Sequence, residues 1–199
     1  MVMTEEDFKE TAKADQEIGI NYIPGRVYIK IPNAKESLFN GLKVVTRNKN
    51  AEWLEDYNYI ADWLTDNKGK SFVLTGPTGV GKSMICSAVI PMMLEKLCHR
   101  RVPVYTAKDL CNKETYLKAI KQKIVILDDF GVEDVFNDFG NIHDIFSEIV
   151  DNIEKKGVLL IGTTNLTPEE IKAKYGFRTY DRLRGNAKLV IIRHESMRG

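Results

Sequence analysis

The chain lacks the features that define several classes of protein. Its three cysteines, Cys86, Cys98 and Cys111, have no C-x-x-C spacing and no paired histidine, which excludes a disulfide framework and a zinc site. No apolar run is long enough to span a bilayer, and the N-terminal MVMTEEDFKE is acidic where a signal or transit peptide is basic. We therefore expect reduced cysteines in a cytoplasmic protein without a membrane segment.

An overall excess of one charge is also lacking. The 199 residues contain 29 Lys and Arg against 28 Asp and Glu, which excludes a wholly basic nucleic-acid coat and an acidic disordered chain. The chain is 43% hydrophobic, enough to bury one sizeable core. Residues 172–198 alone are strongly basic, with eight Lys and Arg against Asp181 and Glu195. This segment is able to bind a nucleic-acid backbone, to contact a neighbouring subunit's nucleotide, or only to remain solvated.

The pattern of apolar residues divides the chain into an arm and a compact domain. Residues 1–50 are predicted to form an N-terminal arm, with a short helix over 5–17 and an irregular segment containing Pro24, Gly25 and Pro32. Residues 51–199 are predicted to form the domain, which opens with an amphipathic helix from Ala51 to about Asn67. No internal repeat is found.

Five short runs in the domain are predicted strands: 71–75, 102–106, 124–127, 158–163 and 189–192. Most are continuous in Val, Ile and Leu, which is typical of strands covered on both faces. They alternate with helical patterns, one with apolar spacing from Ile142 to Ile153 and one starting at Thr167, where Glu170 completes a capping signal. The predicted fold is α/β, a five-stranded parallel sheet with helices on both faces.

The strongest motif is G-x4-G-K-S, placed directly between a predicted strand and a predicted helix. Its glycines allow main-chain N–H groups to wrap around phosphates, Lys82 is able to reach the β- and γ-phosphates, and the Ser83 hydroxyl is placed to ligate Mg²⁺. A plain glycine-rich turn is the alternative interpretation. The residues predicted to bind nucleotide are Gly76, Pro77, Thr78, Gly79, Val80, Gly81, Lys82, Ser83 and Met84.

Polar side chains follow two later strands. Asp128 and Asp129 come directly after the buried run Ile124–Leu127, at the edge where α/β sheets bind ligands. We expect Asp128 to hold Mg²⁺ with Ser83, and Asp129 to orient or deprotonate an attacking water. Asn165 ends the next strand and is able to position that water or contact the γ-phosphate. Asp129 and Asn165 are also common turn residues, so this alternative stays open for both.

The strings GPTGVGKS, ILDDFG, GTTN, YDRLRGN and ESMRG resemble those of DnaC/DnaI-type bacterial helicase loaders and the related IstB-type transposition ATPases. The resemblance covers about residues 50–199 and implies a P-loop NTPase of the AAA+, additional-strand type. It implies that Asn165 is the sensor 1 residue, that Arg182 is an arginine finger, and that Arg198 is the family's last motif arginine. The role of Arg178 stays open.

The resemblance also implies a function. The expected activity is ATP hydrolysis with Mg²⁺ in an ATP-dependent homo-oligomer that loads a replicative ring helicase onto single-stranded DNA. Three features differ from the loaders. The arm is short, and only residues 107–122 separate the second and third strands, where loaders carry more than one helix including a DNA-gripping element. Ile153 stands where many loaders have an arginine. The alternatives are a transposition helper ATPase and a nucleotide-gated binding module with little turnover. A small-molecule kinase is ranked last, because no acceptor pocket or basic lid is found.

Overall fold

A computed structural model describes residues 2–20, 22, 25–48, 51–132, 136–138, 141–143 and 145–194. Three helices precede the first strand: α1 (Glu5–Glu17), α2 (Ala34–Thr46) and α3 (Tyr57–Thr65). The predicted helix over 5–17 is confirmed as α1, where Thr4 and Asp7 form a capping box. No side chain of α1 is buried.

The remaining elements alternate between strands and helices. They are β1 (Ser71–Thr75), α4 (Lys82–Met84), a π-helical segment (Ile85–Val89), α5 (Ile90–Cys98), β2 (Val104–Thr106), α6 (Ala107–Leu110), α7 (Lys113–Ala119), β3 (Ile124–Phe130), β4 (Phe136–Asp138), β5 (Asn141–His143), α8 (Ile145–Lys156), β6 (Leu159–Thr164), α9 (Pro168–Asn186) and β7 (Ala187–Ile191). The short segment between β2 and β3 therefore holds two helices, α6 and α7.

Five parallel strands form the main sheet, in the order β2-β3-β6-β1-β7, which confirms the predicted architecture. Strand β6 lies between the strand that precedes the G-x4-G-K-S motif and the strand that carries Asp128. This inserted strand distinguishes additional-strand ATPases. Because all five strands are parallel, the residues at their carboxyl ends meet at one edge of the sheet.

Each face of the sheet carries its own apolar core. Along β1, Phe72 and Leu74 face one core, which α2, α3, the π-helical segment and α5 complete, while Val73 faces the other. Helices α6, α7, α8 and α9 complete the second core. This alternation explains why the strands are continuous apolar runs, since both faces are covered. Within the described ranges no helix is both long and apolar enough to cross a membrane.

Three elements differ from the sequence predictions. Residues 34–46, predicted to be irregular, form α2, whose Leu38 is fully buried in the first core. The helix predicted to start at Ala51 starts at Tyr57. The helix predicted to start at Ile142 starts at Ile145, because Ile142 instead pairs with Asn137 in the antiparallel hairpin of β4 and β5.

Helix α9 starts where its capping signal indicates. The Thr167 hydroxyl accepts a hydrogen bond from the Glu170 N–H, and Pro168 takes the first helical position. Gly176 interrupts the helix with non-helical angles, φ 82° and ψ 161°. A left-handed φ favours glycine at this kink, which divides α9 into two helical parts. All three cysteines are free thiols.

Candidate nucleotide-binding site

The G-x4-G-K-S motif forms the loop between β1 and α4. Gly76, Gly79 and Gly81 have φ values of 148°, 90° and 85°, a region that L side chains rarely adopt. A Cβ at Gly76 would lie 2.6 Å from the Ile192 carbonyl oxygen, so the loop also passes close to the chain that follows β7. The sequence therefore needs glycine here both for backbone angles and for close packing.

Lys82 is buried at the start of α4, with 6% of its surface exposed. Its Nζ donates hydrogen bonds of 2.8 Å to the carbonyl oxygens of Gly76 and Pro77 and to Oδ1 of Asn165. Burial lowers the pKa of Lys82, and the nearby Asp129 and Asp128 carboxylates partly oppose that effect. The ammonium thus lies inside the loop, held mainly by neutral oxygens.

The two carboxylates after the buried part of β3 have different partners. Asp128 Oδ1 accepts a 2.6 Å hydrogen bond from the Thr163 hydroxyl. Asp129 Oδ1 accepts a 2.9 Å hydrogen bond from Asn165 Nδ2, and Asp129 itself has a left-handed φ of 54°. Both side chains are half-buried. The structure therefore brings Lys82, Asp129 and Asn165 together through the Asn165 amide, with Asp128 beside them.

A cavity of about 780 Å³ opens beside this cluster. One side of the cavity is lined by Thr78, Gly79, Gly81, Lys82, Ser83 and Met84, together with Asp129 and Asn165. Of the other residues predicted to bind nucleotide, Val80 is fully buried in the first core. The volume is in the range of small-molecule binding sites in proteins.

The opposite side of the cavity comes from residues that the sequence analysis did not select. They belong to the end of α2 and the chain that leads into α3: Leu42, Val45, Thr46, Asn48, Ala51, Glu52 and Tyr57. The spacing of Ala34, Leu38, Leu42 and Val45 is that of an apolar helix face, and this signal indicates α2. The nearby prolines and glycines favoured the irregular interpretation instead.

The donors at this edge suit Mg²⁺. Ser83 is exposed and lines the cavity, and Asp128 supplies a carboxylate. Among the described residues no group of three or more His, Cys, Asp or Glu is close enough together to hold a metal. Mg²⁺ needs no such cluster, because it is commonly bound by one or two carboxylates together with the substrate's phosphates and water.

Arg182 lies away from this cavity, on the second part of α9. Its guanidinium pairs with Asp151 and, at 2.8 Å, with Glu154, both on α8, and 20% of its side chain is exposed. These contacts are within the chain. Arg178 is exposed, and Arg198 lies outside the described residues.

Similar structures carry the same fold. The DnaC helicase loader superposes with a TM-score of 0.52 at 17% sequence identity, over 82% of this chain and 93% of the loader. The fold resembles that of a helicase loader. AMPPCP-bound DnaA from Aquifex aeolicus superposes with a TM-score of 0.55 at 16% identity, over 74% of this chain and 50% of that protein. DnaA bound to AMPPCP and single-stranded DNA superposes with a TM-score of 0.55 at 16% sequence identity, over 74% of this chain and 49% of that protein.

These likenesses show that the chain shares its fold with the DnaC helicase loader and with DnaA. The chain spans about half the length of the DnaA structures. A family model described as Nephrocystin 3, N-terminal, matches residues 49–126, which include the G-x4-G-K-S motif and the first three residues of β3. No curated protein matches the sequence.

Proposed function

We propose that the chain binds and hydrolyses ATP at the cavity between its glycine loop and α2. One observation carries this proposal: the ammonium of Lys82, the carboxylate of Asp129 and the amide of Asn165 are joined by hydrogen bonds at the wall of one cavity. A phosphate-binding cation and a water-orienting carboxylate are the two groups that triphosphate hydrolysis needs in one place.

Each residue of the site has its own role in phosphoryl transfer. Main-chain N–H groups of the loop bind phosphate oxygens, and Lys82 exchanges its carbonyl partners for the β- and γ-phosphates. Ser83 and Asp128 would hold Mg²⁺, which neutralises charge that develops on the phosphates. Asp129 accepts the proton of the attacking water or orients it, and Asn165 positions that water in line with the γ-phosphate.

The α2 side of the cavity suits the base of the nucleotide. Leu42, Val45 and Tyr57 offer apolar contact surface, while Asn48 and Glu52 offer polar groups at the same wall. Small-molecule sites typically combine such an apolar lining with a few polar groups that fix orientation. AMPPCP, an ATP analogue, is bound by a DnaA of the same fold, which supports an adenine nucleotide.

We further propose that the chain acts as a replicative helicase loader in an ATP-dependent homo-oligomer. The fold likeness to the DnaC loader extends over 93% of that protein and supports this role, together with the YDRLRGN string of α9. In this proposal Arg182 reaches the γ-phosphate of a neighbouring subunit, which requires it to leave Asp151 and Glu154. Single-stranded DNA, bound by a DnaA of the same fold, is a further proposed partner.

ATP turnover tests the proposal at the site itself. Phosphate release by the wild-type chain should depend on Mg²⁺, and Lys82→Ala and Asp128→Ala should each lower it by about 100-fold or more, because each removes a charge that contacts the phosphates or their cation. Asp109→Ala, which changes an exposed carboxylate of the α6 capping box, is the control. Unchanged turnover in either site variant contradicts the proposed site.

The partner requires a separate experiment. Purified ring helicase and a purified transposase that works with an IstB-type ATPase are each mixed with the chain and ATP. The mass of the complex is measured with and without single-stranded DNA. The loader proposal expects a nucleotide-dependent complex with the helicase. A complex with the transposase alone supports the transposition helper instead. Tight ATP binding with negligible turnover, even with partner and DNA, supports a nucleotide-gated binding module.

A further inference from the structure

Thr163, on β6, contacts both acidic residues of the site, the carboxylate of Asp128 and the backbone of Asp129. It is 1% exposed, and its hydroxyl oxygen has two polar partners. The hydroxyl donates to Asp128 Oδ1 at 2.6 Å and accepts from the Asp129 backbone N–H at 2.8 Å. A threonine hydroxyl has one proton to donate, so the direction of both hydrogen bonds is fixed.

The strand pairing explains why this hydroxyl is needed. Leu127 of β3 pairs with Gly162 of β6, and the next pair is Phe130 with Thr164. Two residues, Asp128 and Asp129, therefore stand opposite the single residue Thr163, which is the arrangement of a β-bulge. A bulge interrupts the ladder of backbone hydrogen bonds, and here the Thr163 hydroxyl accepts the Asp129 N–H.

The bulge also sets the direction of the Asp129 side chain. Asp129 has a left-handed φ of 54°, a conformation that costs free energy for a residue with a Cβ and persists only where its surroundings hold it. In an unbulged strand, adjacent side chains point to opposite faces. The bulge instead allows Asp128 to meet the Thr163 hydroxyl while Asp129 meets Asn165.

We propose that Thr163 is a positioning residue that fixes the carboxylates of Asp128 and Asp129 relative to each other. This inference rests on the proposed ATPase function. The Thr163 hydroxyl donates to Oδ1 of Asp128 and thereby orients that carboxylate, which keeps further lone pairs on both oxygens for a cation. Thr163 thus acts on hydrolysis through both carboxylates and does not itself touch the nucleotide.

Thr164 provides a matched control. It is also buried on β6, and its hydroxyl closes the other end of the bulge, donating to the Phe130 carbonyl oxygen at 2.6 Å and accepting from the Leu166 N–H at 3.1 Å. It has no hydrogen bond to either carboxylate among the described contacts. A variant at Thr164 therefore reports what the loss of a buried hydroxyl in this bulge does to folding alone.

The experiment compares Thr163→Val, Thr163→Ser and Thr164→Val with the wild-type chain. Three quantities are measured: the affinity for a fluorescent ATP analogue with Mg²⁺ and with EDTA, phosphate release against Mg²⁺ concentration, and the midpoint of urea unfolding. For Thr163→Val we expect turnover lowered about 10- to 100-fold and a half-maximal Mg²⁺ concentration raised at least about 5-fold, since a misplaced catalytic group costs rates of this order.

Measuring nucleotide-analogue binding distinguishes a positioning role of Thr163 from a general loss of structure in the variant. In EDTA, Thr163→Val should bind the analogue within about 2-fold of wild type, because the loop and Lys82 are unchanged, whereas the gain in affinity on adding Mg²⁺ should shrink. Thr163→Ser keeps the hydroxyl and should restore turnover to within about 3-fold of wild type. Thr164→Val should shift the unfolding midpoint without changing the Mg²⁺ dependence.

Two results overturn the inference. One is wild-type turnover and Mg²⁺ dependence in Thr163→Val, and the other is equal loss in Thr163→Val and Thr163→Ser, which would show that the fold needs threonine for its shape. Failure of the proposed ATPase function would give a different result, because the wild-type chain itself would then neither bind the analogue nor release phosphate.

Discussion

Asn165 Oδ1 accepts a 2.8 Å hydrogen bond from Lys82 Nζ, although 83 residues separate them in the sequence. This contact fixes the orientation of the amide, so Nδ2 points to Asp129 and donates to its carboxylate at 2.9 Å. In the proposed mechanism Lys82 moves onto a phosphate, and Asn165 then loses one of its two partners. We therefore expect the amide to link the occupancy of the proposed phosphate site to the position of Asp129.

Two substitutions at Asn165 should affect binding and turnover differently. Asn165→Asp gives Lys82 a charged partner that competes with phosphate, so we expect nucleotide affinity to fall about 10-fold. Asn165→Ala removes that partner and should keep the affinity within about 3-fold of wild type. Both variants lose the donor to Asp129, and turnover should fall about 100-fold in each. Fluorescence titration and phosphate release measure the two effects.

The control for this pair is Asn112→Asp. Asn112 caps α7 by accepting from the Thr115 N–H, and aspartate is an equally good capping residue. The control should leave binding and turnover unchanged. If Asn165→Asp and Asn165→Ala bind nucleotide equally well, the Lys82 contact is irrelevant to binding and the proposed link is wrong.

Mixed subunits test whether Arg182 acts across a subunit interface. Lys82→Ala should abolish nucleotide binding, whereas Arg182→Ala should bind nucleotide and lose at least about 1000-fold in turnover, as expected for an arginine finger. Each variant alone is then inactive. A mixture should regain turnover, because a Lys82→Ala subunit supplies its Arg182 to the nucleotide of an Arg182→Ala neighbour.

Arg184→Ala, a change at an exposed neighbouring arginine, is the control for the mixing experiment. It should keep turnover. No recovery in the mixture, together with a lower free energy of unfolding in Arg182→Ala, would assign Arg182 to its contacts with Asp151 and Glu154 on α8. Loss of nucleotide binding in Arg182→Ala would lead to the same conclusion.

The parts of the fold that the sequence predicts are those encoded locally. Thr167, Pro168 and Glu170 fix the start of α9 because the capping hydrogen bonds involve adjacent residues only. The five strands are recognisable because apolar residues cover both faces of the sheet. The glycine loop is recognisable because the positive φ angles of Gly76, Gly79 and Gly81 favour glycine at those positions.

What the sequence does not predict depends on contacts between distant segments. The bulge at Asp128 and Asp129 arises from the pairing of β3 with β6. In the sequence, therefore, nothing distinguishes Thr163 from the other residues of its strand. The apolar spacing of α2 is present, but only the three-dimensional structure places Leu42 and Val45 in the cavity wall. The sequence also does not predict the ion pairs of Arg182, since its partners Asp151 and Glu154 lie on another helix.

Gly41 allows α2 to pack closely against the π-helical segment. A Cβ at this position would lie 2.5 Å from Cγ1 of the buried Val89, which has little room to move. We expect Gly41→Ala to lower the free energy of unfolding by about 1–3 kcal/mol, the usual cost of overpacking a core, despite the better helix propensity of alanine. Urea unfolding measures this change.

Gly185→Ala is the matched control, because Gly185 also lies in a helix but a Cβ there would meet nothing within 4 Å. This variant should gain up to about 1 kcal/mol of stability from helix propensity alone. Since α2 lines the cavity, Gly41→Ala should also weaken nucleotide binding, and Gly185→Ala should not. Equal effects of the two substitutions on stability would contradict the packing described for α2.

Cys86 should make the stability of the protein fall at alkaline pH. The thiol is fully buried in the π-helical segment, and burial, followed by the charge of Asp128, raises its pKa above the ordinary value of 9.0. In the folded chain the thiol stays protonated where the unfolded chain ionises. The unfolded state then binds fewer protons than the folded state, so the free energy of unfolding decreases as pH rises through 9.

The comparison of wild type with Cys86→Ala isolates this contribution from the other groups that titrate at high pH. Between pH 7 and 8 the thiol is protonated in both states, and the difference in unfolding free energy between the two proteins should be constant. Above pH 9 the difference should shrink by up to about 1.4 kcal/mol per pH unit, the value for one proton. Parallel profiles from pH 7 to 10 would show that Cys86 ionises as readily in the folded chain as in the unfolded one, which its burial beside Lys82 and Asp128 does not allow.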